Sequence, residues 1–166
     1  QLAQAETRDV WDVVADPVLE GLGRALGGPK IWGGMKRSAE LASATDGGAY
    51  YAAQKLRAFL DEHASEKKNK NDEVKIEIHA VGHSAGAIFQ SHFLPLLVAQ
   101  GIPIETTHLL APALRVDEFL SRLAPHMKKQ ELEHVSIFTM KKDLELADNC
   151  ITLYHKSLLY LIYYAF

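Results

Sequence analysis

The sequence predicts an α/β fold, a parallel sheet with helices on both faces. Three observations predict it. From Ala49 onward the chain alternates helix, strand, helix, strand, helix, strand, helix, the order of a parallel sheet with crossover helices. Each strand-like run is separated from the next by a helix-length segment, which rules out hairpins. The stretch VKIEIHAVGHSAGAIFQSHFLPLL, from Val74 to Leu97, reads as strand, sharp turn and helix.

The elements follow in order. Residues Gln1 to Leu26 read as helical, with Val10, Trp11, Val13, Val14, Val18, Leu19, Leu22 and Leu26 at three- and four-residue spacing. Pro17 is expected to start a second helix with Asp16 as its N-cap. After Gly27-Gly28-Pro29, a helix is expected over Ile31 to Ala44, opened at Gly33-Gly34 and ended by Gly47-Gly48. Ala49 to Ala64 is amphipathic, with Tyr50, Ala53, Leu56, Phe59 and Leu60 on one face. Ser65 to Glu73 (SEKKNKNDE) has no core residues and reads as a mobile surface loop.

Ile76, Ile78, Ala80 and Val81 then form an apolar strand. The helix after it carries Ala87, Ile88, Phe93, Leu94, Leu96 and Leu97, and Gly101 supplies its stop. Ile104 to Leu110 reads as the next parallel strand, ending at Ala111-Pro112. Val116 to Lys129 reads as a helix broken or kinked at Pro125. Val135 to Met140 is a third strand, Lys141 to Asn149 a polar loop, and Tyr154 to Phe166 a final helix rich in leucine and tyrosine.

At 166 residues the chain is read as one domain with one core; residues 1–48 form a helical segment that could serve as a lid or cap. A net charge of −3 gives no reason to expect nucleic acid or an acidic membrane surface as partner. The single cysteine, Cys150, allows no internal disulfide and fits a reducing compartment. The N-terminus lacks the basic-then-apolar pattern of a signal peptide, and the apolar run Leu158–Phe166 is too short to span a bilayer. The expected location is the cytoplasm.

Chemistry concentrates at Gly82-His83-Ser84-Ala85-Gly86, a match to G-x-S-x-G. A serine held at a tight strand-to-helix turn projects its hydroxyl away from the backbone. Side chains two residues either side would clash, so glycine is expected at both Gly82 and Gly86. The amides of Ala85 and Gly86 open a helix and can stabilise an oxyanion, Ala85 being the expected donor. The other reading of the same residues is a glycine-lined junction whose serine caps the helix. The glycine pairs Gly27-Gly28, Gly33-Gly34 and Gly47-Gly48 suit turns and helix ends better than a second oxyanion loop. No histidine pair has a metal-binding spacing with a carboxylate, so no metal and no cofactor are expected. His79 reads as a satisfied core or sheet-face group and His83 as a packing or oxyanion-side residue.

Together, Gly82–Gly86, the strand before them, the LLAPAL run of Leu109–Leu114 and the acid-bearing loop after VSIFTM resemble the α/β-hydrolase superfamily, and more loosely its lipase- and esterase-like members. The resemblance covers about Ala49 to Phe166. It implies Ser84 as nucleophile, then an acid, then a histidine in chain order. Asp143 and Asp148 both fit the acid position, Asp143 nearer the strand end, with Glu145 a third choice. Only His155 follows them. The resemblance also implies earlier strands and one further strand bearing the base, which this chain lacks. The chain is therefore read as a fragment of a hydrolase, with His155 or a histidine beyond residue 166 as base. The implied activity is hydrolysis of a small-molecule ester or thioester. The alternative is a non-catalytic binding module on a hydrolase scaffold, with the aromatic C-terminal helix (Tyr160, Tyr163, Tyr164, Phe166) taking a missing chain segment or a second copy.

Overall fold

The computed structural model describes residues 10–70, 75–148, 150 and 154–165, with residues 10–14 and 65–70 described by their backbone. In chain order the elements are α1 (Val10–Ala25), α2 (Gly28–Ser43), α3 (Gly48–Lys70), β1 (His79–His83), α4 (Gly86–Ala99), β2 (Thr106–Leu110), α5 (Val116–Arg122), α6 (Ala124–Lys128), β3 (Val135–Phe138), α7 (Lys142–Leu146) and α8 (Leu158–Ala165). They group into two compact units, Lys36–Phe138 and Gln1–Met35 with Thr139–Phe166.

The first unit holds the sheet. Its three strands lie parallel in the order β1-β2-β3. The register pairs Ala80 with Thr107 and Gly82 with Leu109, and side chains alternate between faces along each strand. Ala80, Gly82, Thr107 and Leu109 therefore share one face, and all four are buried. Against it pack Ala53 of α3, Ala87, Leu94 and Leu97 of α4, and Leu123, with Ile102, Ile104 and Leu132 closing the core. Each fully buried leucine contributes about 1.5–3 kcal/mol of transfer free energy. The opposite face carries His79, Val81 and His83, all exposed, beside Thr106, His108 and Leu110. The fold is thus a small parallel α/β arrangement, and the helices that build this unit's core lie on one face of the sheet.

Several boundaries differ from the sequence reading, each for a local reason. α1 runs through Pro17 without a break, because the apolar spacing continues on both sides of it. Asp16 is not a cap: it is 1% exposed and holds Lys156. α2 begins at Gly28, so Gly33-Gly34 lie inside it rather than at its start. α3 extends to Lys70, so the basic run 65–70 is helical rather than a loop; residues 71–73 lie outside the described residues. Phe59 is exposed and stacks on His63 instead of joining the core. The strand after α3 is shorter than read, with Ile76 and Ile78 outside it.

The helix read over Val116 to Lys129 is two helices, and Pro125 sits in the first turn of the second, where a missing N–H costs little. The polar loop after β3 contains α7. The final helix starts at Leu158 rather than Tyr154, which leaves His155 in irregular backbone. The glycine stop of α4 stands as read. Gly101 takes φ +66, its N–H bonds Val98 C=O at 2.9 Å, and Ile102 N–H bonds Leu97 C=O at 3.0 Å, a Schellman closure.

Candidate active site

β1 ends at His83, and the chain reverses through Ser84 and Ala85 into α4. Ser84 has φ +49, the left-handed region that a non-glycine residue rarely adopts and that costs about 1–3 kcal/mol. Three backbone hydrogen bonds hold it there. Ser84 N–H donates to Leu110 C=O at 2.9 Å, and Ser84 C=O accepts from the N–H groups of Ala87 and Ala113, both at 3.1 Å. The turn is tight enough to need Gly82. A Cβ on Gly82 would stand 3.0 Å from both the C and the O of Gly86 and 3.0 Å from Gln90 Cγ. Gly86 is different: a Cβ there would meet nothing within 4 Å, so the expectation that both glycines are forced by clash holds for Gly82 alone. Gln90 ties the helix back to the strand, its Nε2 donating to Val81 C=O at 3.1 Å.

A second residue in the left-handed region lies beside the first. Ala111, one residue past the end of β2, has φ +41, and its N–H donates to Phe138 C=O at 2.7 Å. The loop it opens returns Ala113 to Ser84. Strained residues thus close the ends of two adjacent parallel strands, on the carboxyl edge where such sheets collect their sites. Leu109–Leu114 carries part of the resemblance, but no sequence expectation attaches to Ala111. Pro112 biases the residue before it toward extended backbone at negative φ, so nothing local in the sequence signals the positive φ of Ala111.

The N-terminus of α4 supplies donors. Among the described residues, the N–H groups of Ala85 and Gly86 have no hydrogen-bond partner, while Ala87 and Ile88 already bond back to Ser84 and Ala85. Two unpaired amides at the positive end of a 14-residue helix favour negative charge at that place. Ser84 is half-buried, and within its unit no described side chain hydrogen-bonds its Oγ.

The unit's histidines divide by partner. His79 is exposed on the sheet face with its Nδ1 2.9 Å from Thr106 Oγ1, as the sheet-face alternative expected. His126 Nδ1 is 2.7 Å from Glu131 Oε2. His92 Nδ1 is 3.0 Å from Arg122 Nη1. His83 is exposed rather than packed, and His108 lies 6.2 Å, centroid to centroid, from the Phe138 ring.

Ser84 and Ala85 belong to the sheet unit, whereas Asp143, Asp148 and His155 belong to the other. Asp143 is exposed in the first turn of α7, where a carboxylate suits the helix dipole. Asp148 is exposed just past that helix. Glu145 is buried and accepts a hydrogen bond from Ser157 Oγ, which commits it to packing. His155 is half-buried, and its N–H lies 3.4 Å from Asp16 Oδ1. Around it runs an ionic cluster. Lys156 Nζ reaches Glu20 Oε1 at 2.8 Å and Asp16 Oδ2 at 3.3 Å, and Tyr154 O–H donates to Glu20 Oε1 at 2.8 Å. Burial, and then the bond to Glu20, push the Tyr154 hydroxyl well above the usual tyrosine range.

Among the described residues, no group of three or more His, Cys, Asp or Glu side chains is placed to hold a metal ion, and no helix is long and apolar enough to cross a membrane. Comparison with protein-family models, with curated proteins and with solved structures found no match for this chain.

Proposed function

We propose that Ser84 is the nucleophile of a serine hydrolase acting on a small-molecule ester or thioester. The observation that carries this reading is the backbone of Ser84: a non-glycine residue at φ +49, held by three backbone hydrogen bonds beside two unpaired amides. That arrangement spends strain to present a hydroxyl next to an anion-stabilising helix terminus. In the proposed reaction Ser84 Oγ attacks the carbonyl carbon while a histidine takes its proton. The tetrahedral oxyanion accepts from Ala85 N–H, a donor of a kind worth about 2.7–4 kcal/mol in such sites. The leaving alcohol or thiol then takes the proton from that histidine, and water resolves the acyl-enzyme by the same route. The resemblance of the sequence implies His155 as the base candidate on this chain and Asp143 or Asp148 as its acid; all three belong to the unit that does not hold Ser84.

A second reading, a binding module with the serine unused, is favoured by one observation: within its unit no described side chain hydrogen-bonds Ser84 Oγ. A fluorophosphonate probe separates the two. Hydrolase chemistry gives covalent labelling that disappears in Ser84→Ala. Labelling lost in Ser84→Ala but unchanged in His155→Gln removes His155 from the reading and keeps Ser84. A folded chain that takes no label at any pH from about 7.5 to 9, above the ordinary histidine pKa of about 6.5 and so where a histidine base is neutral, overturns the hydrolase reading.

A further inference from the structure

On the flank of α4, eight residues past Ser84 and so about 12 Å along the helix, lies a cavity of about 410 Å³. Glu40 and Ser43 of α2, His92 of α4, Ser121 and Arg122 of α5 and His126 of α6 all line it. Arg122 is half-buried, and it makes no ion pair with any described carboxylate. Its side-chain partner is a histidine: Nη1 lies 3.0 Å from His92 Nδ1. A guanidinium has no acceptor and keeps its proton, so Nδ1 of His92 must accept and the ring's own proton sits on Nε2. The ring is therefore neutral. Burial, and then the Arg122 charge, hold its pKa below the usual histidine value, against the weaker opposing pull of Glu40 and Glu118.

The nearby acids are engaged elsewhere. Glu40 is held by Arg37 at 2.6 Å, Glu118 lies 3.8 Å from Lys36, and Glu131 is taken by His126. Glu40 feels the Arg122 charge through space but makes its ion pair with Arg37, so Arg122 brings to the cavity a positive charge with no described carboxylate in contact with it. A second observation points the same way. The Ser43 hydroxyl oxygen is buried and has no hydrogen-bond partner among the described residues, a state that costs free energy unless something fills it.

We propose that this cavity is a binding site for a small organic monocarboxylate, with Arg122 as its charge partner and His92 Nε2–H and Ser43 Oγ–H as neutral donors. The planar guanidinium fork matches a carboxylate in two parallel hydrogen bonds. One positive charge without a carboxylate in contact suits a monoanion; a phosphate dianion would leave excess negative charge facing Glu40 and Glu118. The volume falls in the range of small-molecule sites and leaves room for the body of the acid against Ala44 and Pro95. The proposal is independent of the reading of Ser84.

The test is a benzoate titration of the full chain followed by the ring signals of His92 and the Nε signal of Arg122 in NMR spectra. Saturable shifts with a millimolar dissociation constant are expected, and the His92 pKa rises on binding as the carboxylate offsets the Arg122 charge. Arg122→Gln weakens binding at least about tenfold and Ser43→Ala about threefold to tenfold. Arg122→Lys keeps the charge without the fork and loses most of the affinity, which covers the case in which the glutamine variant does not fold. Signals unmoved at about 50 mM benzoate, an affinity below any useful site, overturn the proposal. So do shifts that survive in a folded Arg122 variant. Inorganic phosphate binding more tightly than benzoate overturns the monocarboxylate assignment.

Discussion

The two units are built on opposite principles. Every buried hydrophobic residue described, apart from Tyr154 and Ala165, lies in the sheet unit, where the buried polar side chains are the hydroxyls of Ser91 and Thr107. The other unit buries Asp16, Glu145 and Ser157 and brings Lys156 and Glu20 close to full burial. An apolar interior is stabilised by area and tolerates small changes in proportion to the atoms removed. An ionic interior is stabilised only while every charge keeps its partner, because desolvation of the ions costs about as much as their attraction returns. One unit should therefore fail gradually and the other abruptly.

The largest expected effect follows from that difference. Lys156→Met takes away the cation that bridges Glu20 and Asp16, and removing one member of a buried ion cluster costs about 3–5 kcal/mol. Replacing the cluster at once, with Asp16→Leu, Glu20→Met and Tyr154→Phe added to Lys156→Met, costs far less, since no buried charge is left alone. Denaturant midpoints of the two variants check this. If the single change is no worse than the combined one, the cluster is not the internal fastening of this unit. Hydrogen exchange sharpens the contrast: α1 and α8 amides lose protection in Lys156→Met before those of β1 and β2.

Leu94→Ala probes the other principle. Leu94 is fully buried in α4 against the sheet, so its truncation costs about 2–5 kcal/mol, set by how far the core collapses into the gap. No second substitution of a neighbour should restore it the way the combined variant restores the ionic unit. Protection at β1 and β2 falls first, which reverses the exchange pattern of Lys156→Met. The same order of loss in both variants would mean that the chain unfolds as one body and that the contrast in composition carries no mechanical consequence.

The same contrast explains what could be read from the sequence. The sheet unit was legible because its signals are local: apolar residues at helical spacing in α4, β-rich runs at β2 and β3, a glycine stop at Gly101. The ionic unit was not, because its pairings join residues far apart in the chain. Asp16 before Pro17 looked like a cap, and nothing within a helical turn announces that it will bind Lys156, 140 positions on. Helix ends were misplaced where charge and apolar pattern disagree, as at 65–70 of α3. At the candidate site, Ser84 and Gly82 were legible because the pattern around them is steric. The same pattern makes Gly86 a second steric glycine, yet its surroundings are open. Ala111 escaped because alanine advertises no unusual dihedral. Which residues bring a base to Ser84 is a question about distant segments, and local spacing carries no answer to it.

The smallest expected effect lies at the junction where the apolar unit is tightest. Gly82→Ala drives a methyl to 3.0 Å from the backbone C and O of Gly86, and a backbone cannot rotate aside as a side chain can. The strand and the helix must separate by a few tenths of an ångström, at a cost of about 1–3 kcal/mol. Gly86→Ala meets open space in the first turn of α4 and is neutral or stabilising by up to about 1 kcal/mol, because alanine forms helix better than glycine. The pair distinguishes a turn shaped for Ser84 from a turn that merely contains it. On the proposed hydrolase reading, moving the strand from the helix shifts Ser84 relative to the Ala85 amide, so Gly82→Ala is expected to slow fluorophosphonate labelling by more than its loss of stability explains. Gly86→Ala leaves the labelling rate near that of the unaltered chain. Equal labelling in both variants, with both folded, would mean that the close approach of Gly82 to Gly86 serves packing alone.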